Sequence, residues 1–334
     1  MDTSIRGAGI VRILLAVFSI GVAASSGRAA TIIVPDDNSS LVAAVAGAAP
    51  GDTIQVRPGT YTEGSAVEVR ADGVTIEGLG GRPLLTGANR KLGFRAQGVQ
   101  SLVIAGFDIQ GRVGAVLLDD CSNCIVADLV VTDCDAGIRV RRGAHNAIFA
   151  NTLTNITHHE AIIVEFSSVF VADNTVIGGN KDGIRLFYLQ PDPLQTQTQI
   201  FGNIVTGVRR RGIVLTHSPG AGIESNIVSS SGREGVKVIG NTSPDLVLTN
   251  NTAAQNRREG FSMTSVNATL SDNVAMGNGG DGFKISRTLS SPITITLNDA
   301  TDNQGYGFNV AHLSQTDLLA SGNTATGNLK GDFH

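Results

Sequence analysis

One short pattern recurs eight times between residues 137 and 310 of this 334-residue chain, and the repetition restricts what it can fold into. A small residue is followed by apolar, any, apolar. It occurs as Gly137-Ile138-Arg139-Val140, Ala161-Ile162-Ile163-Val164, Gly183-Ile184-Arg185-Leu186 and Gly212-Ile213-Val214-Leu215. It returns as Gly235-Val236-Lys237-Val238, Gly260-Phe261-Ser262-Met263, Gly282-Phe283-Lys284-Ile285 and Gly307-Phe308-Asn309-Val310. The steps are 24, 22, 29, 23, 25, 22 and 25 residues, with a fainter copy at Gly114. A second mark runs in phase: Asn151, Asn174, Asn203, Asn226, Asn251, Asn273 and Asn323. Asp299 is the best candidate for the rung between the last two.

Apolar and polar residues alternate within runs too short for a helix, which is the period of a strand. A unit of this length cannot bury its own apolar side, but stacked on copies of itself it makes one continuous core. The pattern predicts three short strands and three corners per repeat, and hence an all-β, single right-handed parallel β-helix. Ile138, Ile162, Ile184, Ile213 and Val236 would form an aliphatic stack inside. The Asn side chains would form a hydrogen-bonded amide ladder at one corner. About eleven coils spaced by about 4.8 Å make a rod of about 50 Å. A leucine-rich solenoid would need a leucine-spaced consensus that the chain lacks. Residues 38–49 read as a short amphipathic helix capping the amino-terminal end, and the polar tail from Asn323 to His334 as a shield for the other.

Composition agrees. Forty-one Gly without a strict triplet period is not collagen, and 41% hydrophobic residues are enough for a core. The net charge of −4 gives no basic field for nucleic acid. Arg6 and Arg12, an apolar run from Ile13 to Ala24 and small residues through Ala29 read as a secretory signal peptide over residues 1–29. Residues 30–334 then form the β-helix domain. Removing the leader takes away three arginines and one aspartate and shifts the net charge to −6. No second apolar run is long enough to cross a membrane, so a secreted or periplasmic monomer without stable membrane insertion is expected. Cys121, Cys124 and Cys134 lack the partner ligands of a zinc site and read as a local disulfide or buried thiols.

The opening Ile33-Val34-Pro35-Asp36-Asp37, followed by Ala48-Ala49-Pro50-Gly51-Asp52-Thr53-Ile54-Gln55-Val56-Arg57-Pro58-Gly59-Thr60-Tyr61, resembles the amino-terminal segment of pectin-lyase-like β-helix proteins. These include alginate C5-epimerase relatives, polysaccharide lyases and a periplasmic nitrous-oxide-reductase accessory group. The likeness covers nearly all of residues 31–328. It implies an active groove along the strand that starts at each repeat's Gly, and at the corner before it.

Strand alternation places Arg139, Ile163, Arg185, Val214, Lys237, Ser262, Lys284 and Asn309 in one outward row. Arg141, Glu165, Phe187, Thr216, Ile239, Thr264, Ser286 and Ala311 form a second. The residue before each small one gives Glu160, Asp182, Arg211, Glu234, Glu259 and Asp281. One step earlier lie His159, Lys181, Arg210, Arg233 and Arg258. Two readings follow. In the structural one, pairs such as Asp182/Arg185, Glu234/Lys237 and Asp281/Lys284 hold the corners in register. In the functional one, the cations bind the carboxylates of an acidic polysaccharide.

Chemistry on a uronic acid needs a cation to neutralise its carboxylate, a base to remove the C5 proton and an acid for the leaving oxygen. Candidates for these roles are His159, Glu160, Asp182, Arg185, Arg211, His217 and Lys237. Substrate-binding candidates are Arg139, Arg141, Glu165, Lys181, Phe187, Tyr188, Arg210, Arg233, Glu234 and Lys284. The insertion from Tyr188 to Thr198 would form a wall. Asp182, Glu234 and Asp281 could hold calcium between coils, though no metal signature is present. Tyr306-Gly307-Phe308-Asn309-Val310-Ala311-His312 only partly matches the Tyr-Gly-Phe-Asp-Pro-His motif of alginate epimerases, because Asn309 and Val310 replace the Asp and Pro. The full carboxylate set of polygalacturonases is absent, and three Met and six His scattered along the chain do not suit copper delivery. The expectation is an exported lyase or C5-epimerase, with a non-catalytic carbohydrate-binding scaffold as the alternative.

Overall fold

The computed structural model describes residues 29–87, 91–189, 198–218, 220–240, 246–264, 267–286, 293–311 and 318–334. The leader, apart from Ala29, and the insertion over residues 190–197 lie outside them, as does His312. Among the described residues the chain winds through three parallel sheets of 13, 12 and 12 strands, each strand bonded to its counterpart one coil away. This is the coiled solenoid that the repeat predicts, with about one coil more than the eleven expected. A representative coil runs through Asn146–Phe149 in the first sheet, Thr152–Thr154 in the second and Ile162–Glu165 in the third.

The register carries the small-residue marks up the third sheet. Ile138 pairs with Ile162, Ile162 with Ile184, Ile184 with Ile213, and Ile213 with Val236. All five are fully buried. The column continues as rings: Phe261, Phe283 and Phe308 stack with centroids 4.8 Å apart and planes within 4°. Phe308 is therefore a core residue, which explains the Gly-Phe of the motif-like segment by packing. The glycines serve close approach. A Cβ on Gly212 would lie 2.0 Å from Val228 Cγ1 and 2.8 Å from the Gly235 carbonyl oxygen of the next coil.

At the corner between the first and second sheets the amide ladder is present. Asn151 Nδ2 donates to Asn174 Oδ1 (2.9 Å), and the same bond repeats through Asn203, Asn226, Asn251, Asn273, Asn298 and Asn323. The missing rung is Asn298, and Asp299 is the first residue of the strand that follows it. The preceding residue is left-handed at each of these rungs, as at Ala150 (φ 55°) and Asn250 (φ 54°). Such strain persists in non-glycine residues where the surroundings over-determine the turn, as the buried amides do here. A second ladder, missed in the sequence, runs through Asn256, Asn278, Asn303 and Asn328 at the corner before the third sheet.

Leu41–Ala46 forms the capping helix, shorter than the predicted 38–49. Ser40 accepts from Ala43 N, and Glu63 Oε1 accepts from Leu41 N (3.0 Å). Leu41, Ala44 and Val45 are buried over the end of the core. The tail is a further coil instead of a shield. Thr324–Thr326 and Gly331–Phe333 extend the second and third sheets, leaving Leu329 and Phe333 exposed. The three cysteines are buried free thiols. The neighbouring Cys124 thiol holds Cys121 down at about 7, while burial raises Cys134 to about 11.

Candidate functional site

The third sheet presents the two outward rows as the alternation predicts, because each neighbouring strand repeats the same register. Its lower part opens into a cleft of about 540 Å³, lined by Val113, Leu117, Ala136, Arg139, Arg141, His159, Glu160 and Ile163 among others. The cleft exists because Ala136 stands in the column that carries Glu160 and Asp182 in the next two coils. Leu117 and Ile163 flank Arg139 in its own row and make the walls apolar. Arg139 Nε donates to Glu165 Oε2 (2.5 Å), and Arg141 Nη2 donates to Asp119 Oδ2 (2.7 Å). Arg142 also donates to Asp119. Burial pushes the Asp119 carboxyl up, but bonds from Arg142 and Arg141 outweigh it and hold it below the usual range. His159 is exposed at the rim, its backbone N–H bonded to the Asp135 carbonyl oxygen (2.8 Å).

Above the cleft lies a lattice of cross-coil ion pairs. Arg185 Nη1 reaches Glu160 of the preceding coil (3.4 Å). Arg211 bridges Asp182 (3.8 Å) and Glu234 (3.2 Å), and Arg210 lies 3.9 Å from Asp182. Lys237 lies 3.8 Å from Glu234 and donates to Ser262 Oγ (2.8 Å), and Lys284 reaches Glu259 (3.3 Å). Of the three predicted pairs only Glu234/Lys237 forms within one coil. Arg185 and Lys284 turn to the carboxylate one coil back, and Asp281 instead accepts from Asn309 Nδ2 (2.8 Å). Burial pushes the Glu234 carboxyl up, but its own backbone N–H, Arg211 and Lys237 hold it below the ordinary value. Burial lowers Lys237. The calcium reading fails here, since the Arg211 guanidinium occupies the space between Asp182 and Glu234. Among the described residues no three His, Cys, Asp or Glu side chains are grouped to hold a metal ion.

His217 stands apart from both. It lies at the corner after the third sheet, stacked on Tyr188 at 5.1 Å, and Tyr188 stacks on Phe166 at 5.3 Å. A Cβ on Gly240 would come within 2.6 Å of His217 Nε2, so the far side of the imidazole is covered too. Phe187 meets Tyr188 edge-on, and Arg185 lies 5.2 Å above the Phe187 ring. His217 thereby lies at the edge of the third sheet opposite His159, coils above the cleft, and is a stacking residue. Lys181, Arg210 and Arg233 occupy the opposite corner, next to His159 in register. The predicted set is thus divided among a cleft, an ion-pair lattice, an aromatic edge and a basic corner. Leu117, Ala136 and Asp119 were missed. The signal for the first two was the interruption of charged columns by apolar residues.

A family model described as "Right handed beta helix region" matches residues 92–244 and 194–333. The chain belongs to this right-handed β-helix family. No curated protein matches its sequence. Among solved β-helix structures, the periplasmic alginate epimerase AlgG is similar at 15% identity over 86% of this chain and 78% of that one, with a TM-score of 0.55. The Dettilon tailspike protein is similar at 15% identity over 89% of this chain and 68% of that one, with a TM-score of 0.64. The catalytic unit of an α-1,3-glucanase from Streptomyces thermodiastaticus matches at 12% identity over 93% and 70%, with a TM-score of 0.53. At these identities the shared property is the right-handed β-helix itself.

Proposed function

We propose that the protein is an exported, periplasmic or secreted enzyme that acts on a uronate-containing polysaccharide by β-elimination or C5-epimerisation. The observation that carries this reading is the cleft, where Arg139, Arg141, His159 and Glu160 stand among apolar walls. A guanidinium has five N–H donors. Arg139 commits only its Nε to Glu165, so its terminal nitrogens remain for the bidentate capture of a uronate carboxylate. Neutralising that carboxylate makes the C5 proton easier to remove. His159 would take that proton, since an imidazole serves as a base near neutral pH. Expulsion of the O4 substituent, its oxygen taking a proton from water as the C4–C5 double bond forms, then completes elimination, whereas return of a proton from water to the opposite face inverts C5. The fold shared with a periplasmic alginate epimerase supports the same substrate class and compartment.

A non-catalytic glycan-binding scaffold is the second reading. The Asp182–Arg211–Glu234–Lys237 lattice favours it, because paired charges there serve coil-to-coil cohesion. Incubation with alginate, polygalacturonate and glycosaminoglycans separates the two, read by absorbance of unsaturated ends and by the epimer ratio in NMR spectra. Turnover that disappears in His159→Ala supports the enzyme. Saturable binding with neither signal supports the scaffold.

A further inference from the structure

The corner that precedes the third sheet carries a basic line in continuous register. His159, Lys181, Arg210, Arg233 and Arg258 occupy one position on five successive coils. The backbone bonds from Arg210 N to Lys181 O (3.4 Å), Arg233 N to Arg210 O (2.9 Å) and Arg258 N to Arg233 O (3.3 Å) fix it. Gly280, bonded to Arg258 O (3.0 Å), ends the line. Four coil steps span about 19 Å. One end of the line is His159 at the cleft. At the other, Arg209, Arg233, Arg257 and Arg258 line an open depression of about 700 Å³ that no carboxylate side chain lines.

Two features distinguish this corner from the lattice beside it. Among the described residues, none of these four arginines has a carboxylate partner, although the chain as a whole is acidic. The adjacent carboxylates are committed elsewhere, Glu234 to Arg211 and Lys237, and Glu259 to Lys284. Tight backbone also keeps the depression open. A Cβ on Gly232 would lie 2.2 Å from the Arg209 carbonyl oxygen, so no larger residue can fill it.

The geometry points to an exosite for a polyanionic glycan that runs along the rod axis, placing one sugar at the cleft and its neighbours on the arginine corner. A column with one cation per coil suits a ligand that repeats one carboxylate per sugar. No aromatic side chain lines the depression, so the base-stacking platform of a single-stranded nucleic-acid site is absent there. The assignment rests on the uronan reading for the substrate class, but binding at this corner is separable from turnover.

The test uses the full chain and an end-labelled decamer of galacturonate, with binding read by fluorescence anisotropy. The double variant Arg257→Ala/Arg258→Ala is expected to lose about tenfold in affinity at low ionic strength, with the difference shrinking in about 0.5 M salt. Arg70→Ala, which removes an exposed cation elsewhere, is expected to change affinity less than about twofold. If turnover is found, KM for polymer rises in the double variant while kcat and the rate on a trisaccharide stay unchanged. Unaltered decamer affinity in the double variant overturns the exosite even where turnover persists. An equal loss in Arg70→Ala overturns it in favour of a general charge effect. Equally tight, Arg257- and Arg258-dependent binding of a labelled single-stranded oligonucleotide overturns the glycan assignment. Arginine-dependent decamer binding without turnover keeps the exosite and removes the enzymatic reading.

Discussion

The Arg211 guanidinium lies 3.2 Å from the Glu234 carboxylate of the coil above it. It also approaches Asp182 of the coil below, so one side chain ties three successive turns. Asp182 is fully buried, and its Oδ1 accepts the Arg211 backbone N–H at 3.0 Å. Arg211→Ala would leave two shielded carboxylates without their shared cation. It is expected to destabilise the fold by about 2–3 kcal/mol, read as a lower urea midpoint, with Arg211→Lys recovering part of the loss.

Acid should weaken the rod through the same carboxylates. The folded-state pKa values of Asp119 and Glu234 lie below their ordinary 3.8 and 4.5. A carboxylate lowered by folding contributes stability that is fully present above its unfolded pKa and is lost as pH falls through the folded one. Stability is therefore expected to decline below about pH 4.5. Urea titrations at a series of pH values should show a shallower decline in Glu234→Gln and Asp119→Asn than in the parent.

Asn251 is one of the most connected rungs and suits a test of the amide ladder. Its Nδ2 donates to Ile223 O, Thr249 O and Asn273 Oδ1, and its Oδ1 accepts from the backbone and side-chain nitrogens of Asn226. Asn251→Ala orphans several buried groups at once and is expected to cost about 3 kcal/mol or more, measured by denaturant unfolding. The same change at Asn323, beside the exposed end, should cost less.

His217 should tolerate replacement by another ring. His217→Phe retains the stack on Tyr188 and is expected to keep both stability and any polymer turnover within about twofold. His159→Ala is the contrasting variant, expected to abolish turnover while leaving the melting temperature nearly unchanged. A loss of turnover in His217→Phe would return His217 to the reaction.

The small-residue marks and most of the Asn rungs were legible because a stacked fold imposes the same contacts at every coil. Asn298 escaped because Asp299 is its neighbour, and a shift of one residue moves a side chain from the corner into the next strand. Ion-pair partners were not legible for a different reason. With coils about 4.8 Å apart, a long cation finds the carboxylate of an adjacent turn as readily as its own, so Arg185 chose Glu160 over Asp182. Spacing in the sequence likewise placed His159 and His217 at opposite ends of one strand type, but not the stacking that covers His217. The cleft depended on what a column lacks, an acid at Ala136, which a search for charged groups passes over.

The one-way amide column has a consequence for how such a rod changes length. Every interior Asn receives from the turn before it and gives to the turn after it, so any two rungs are interchangeable as neighbours. Excising a whole repeat, Gly235 through Glu259 for instance, would join two surfaces already shaped for each other and heal the seam. Losing a single amide has no such remedy, which makes the entire turn, and not the residue, the smallest part that can be added or removed without leaving a scar.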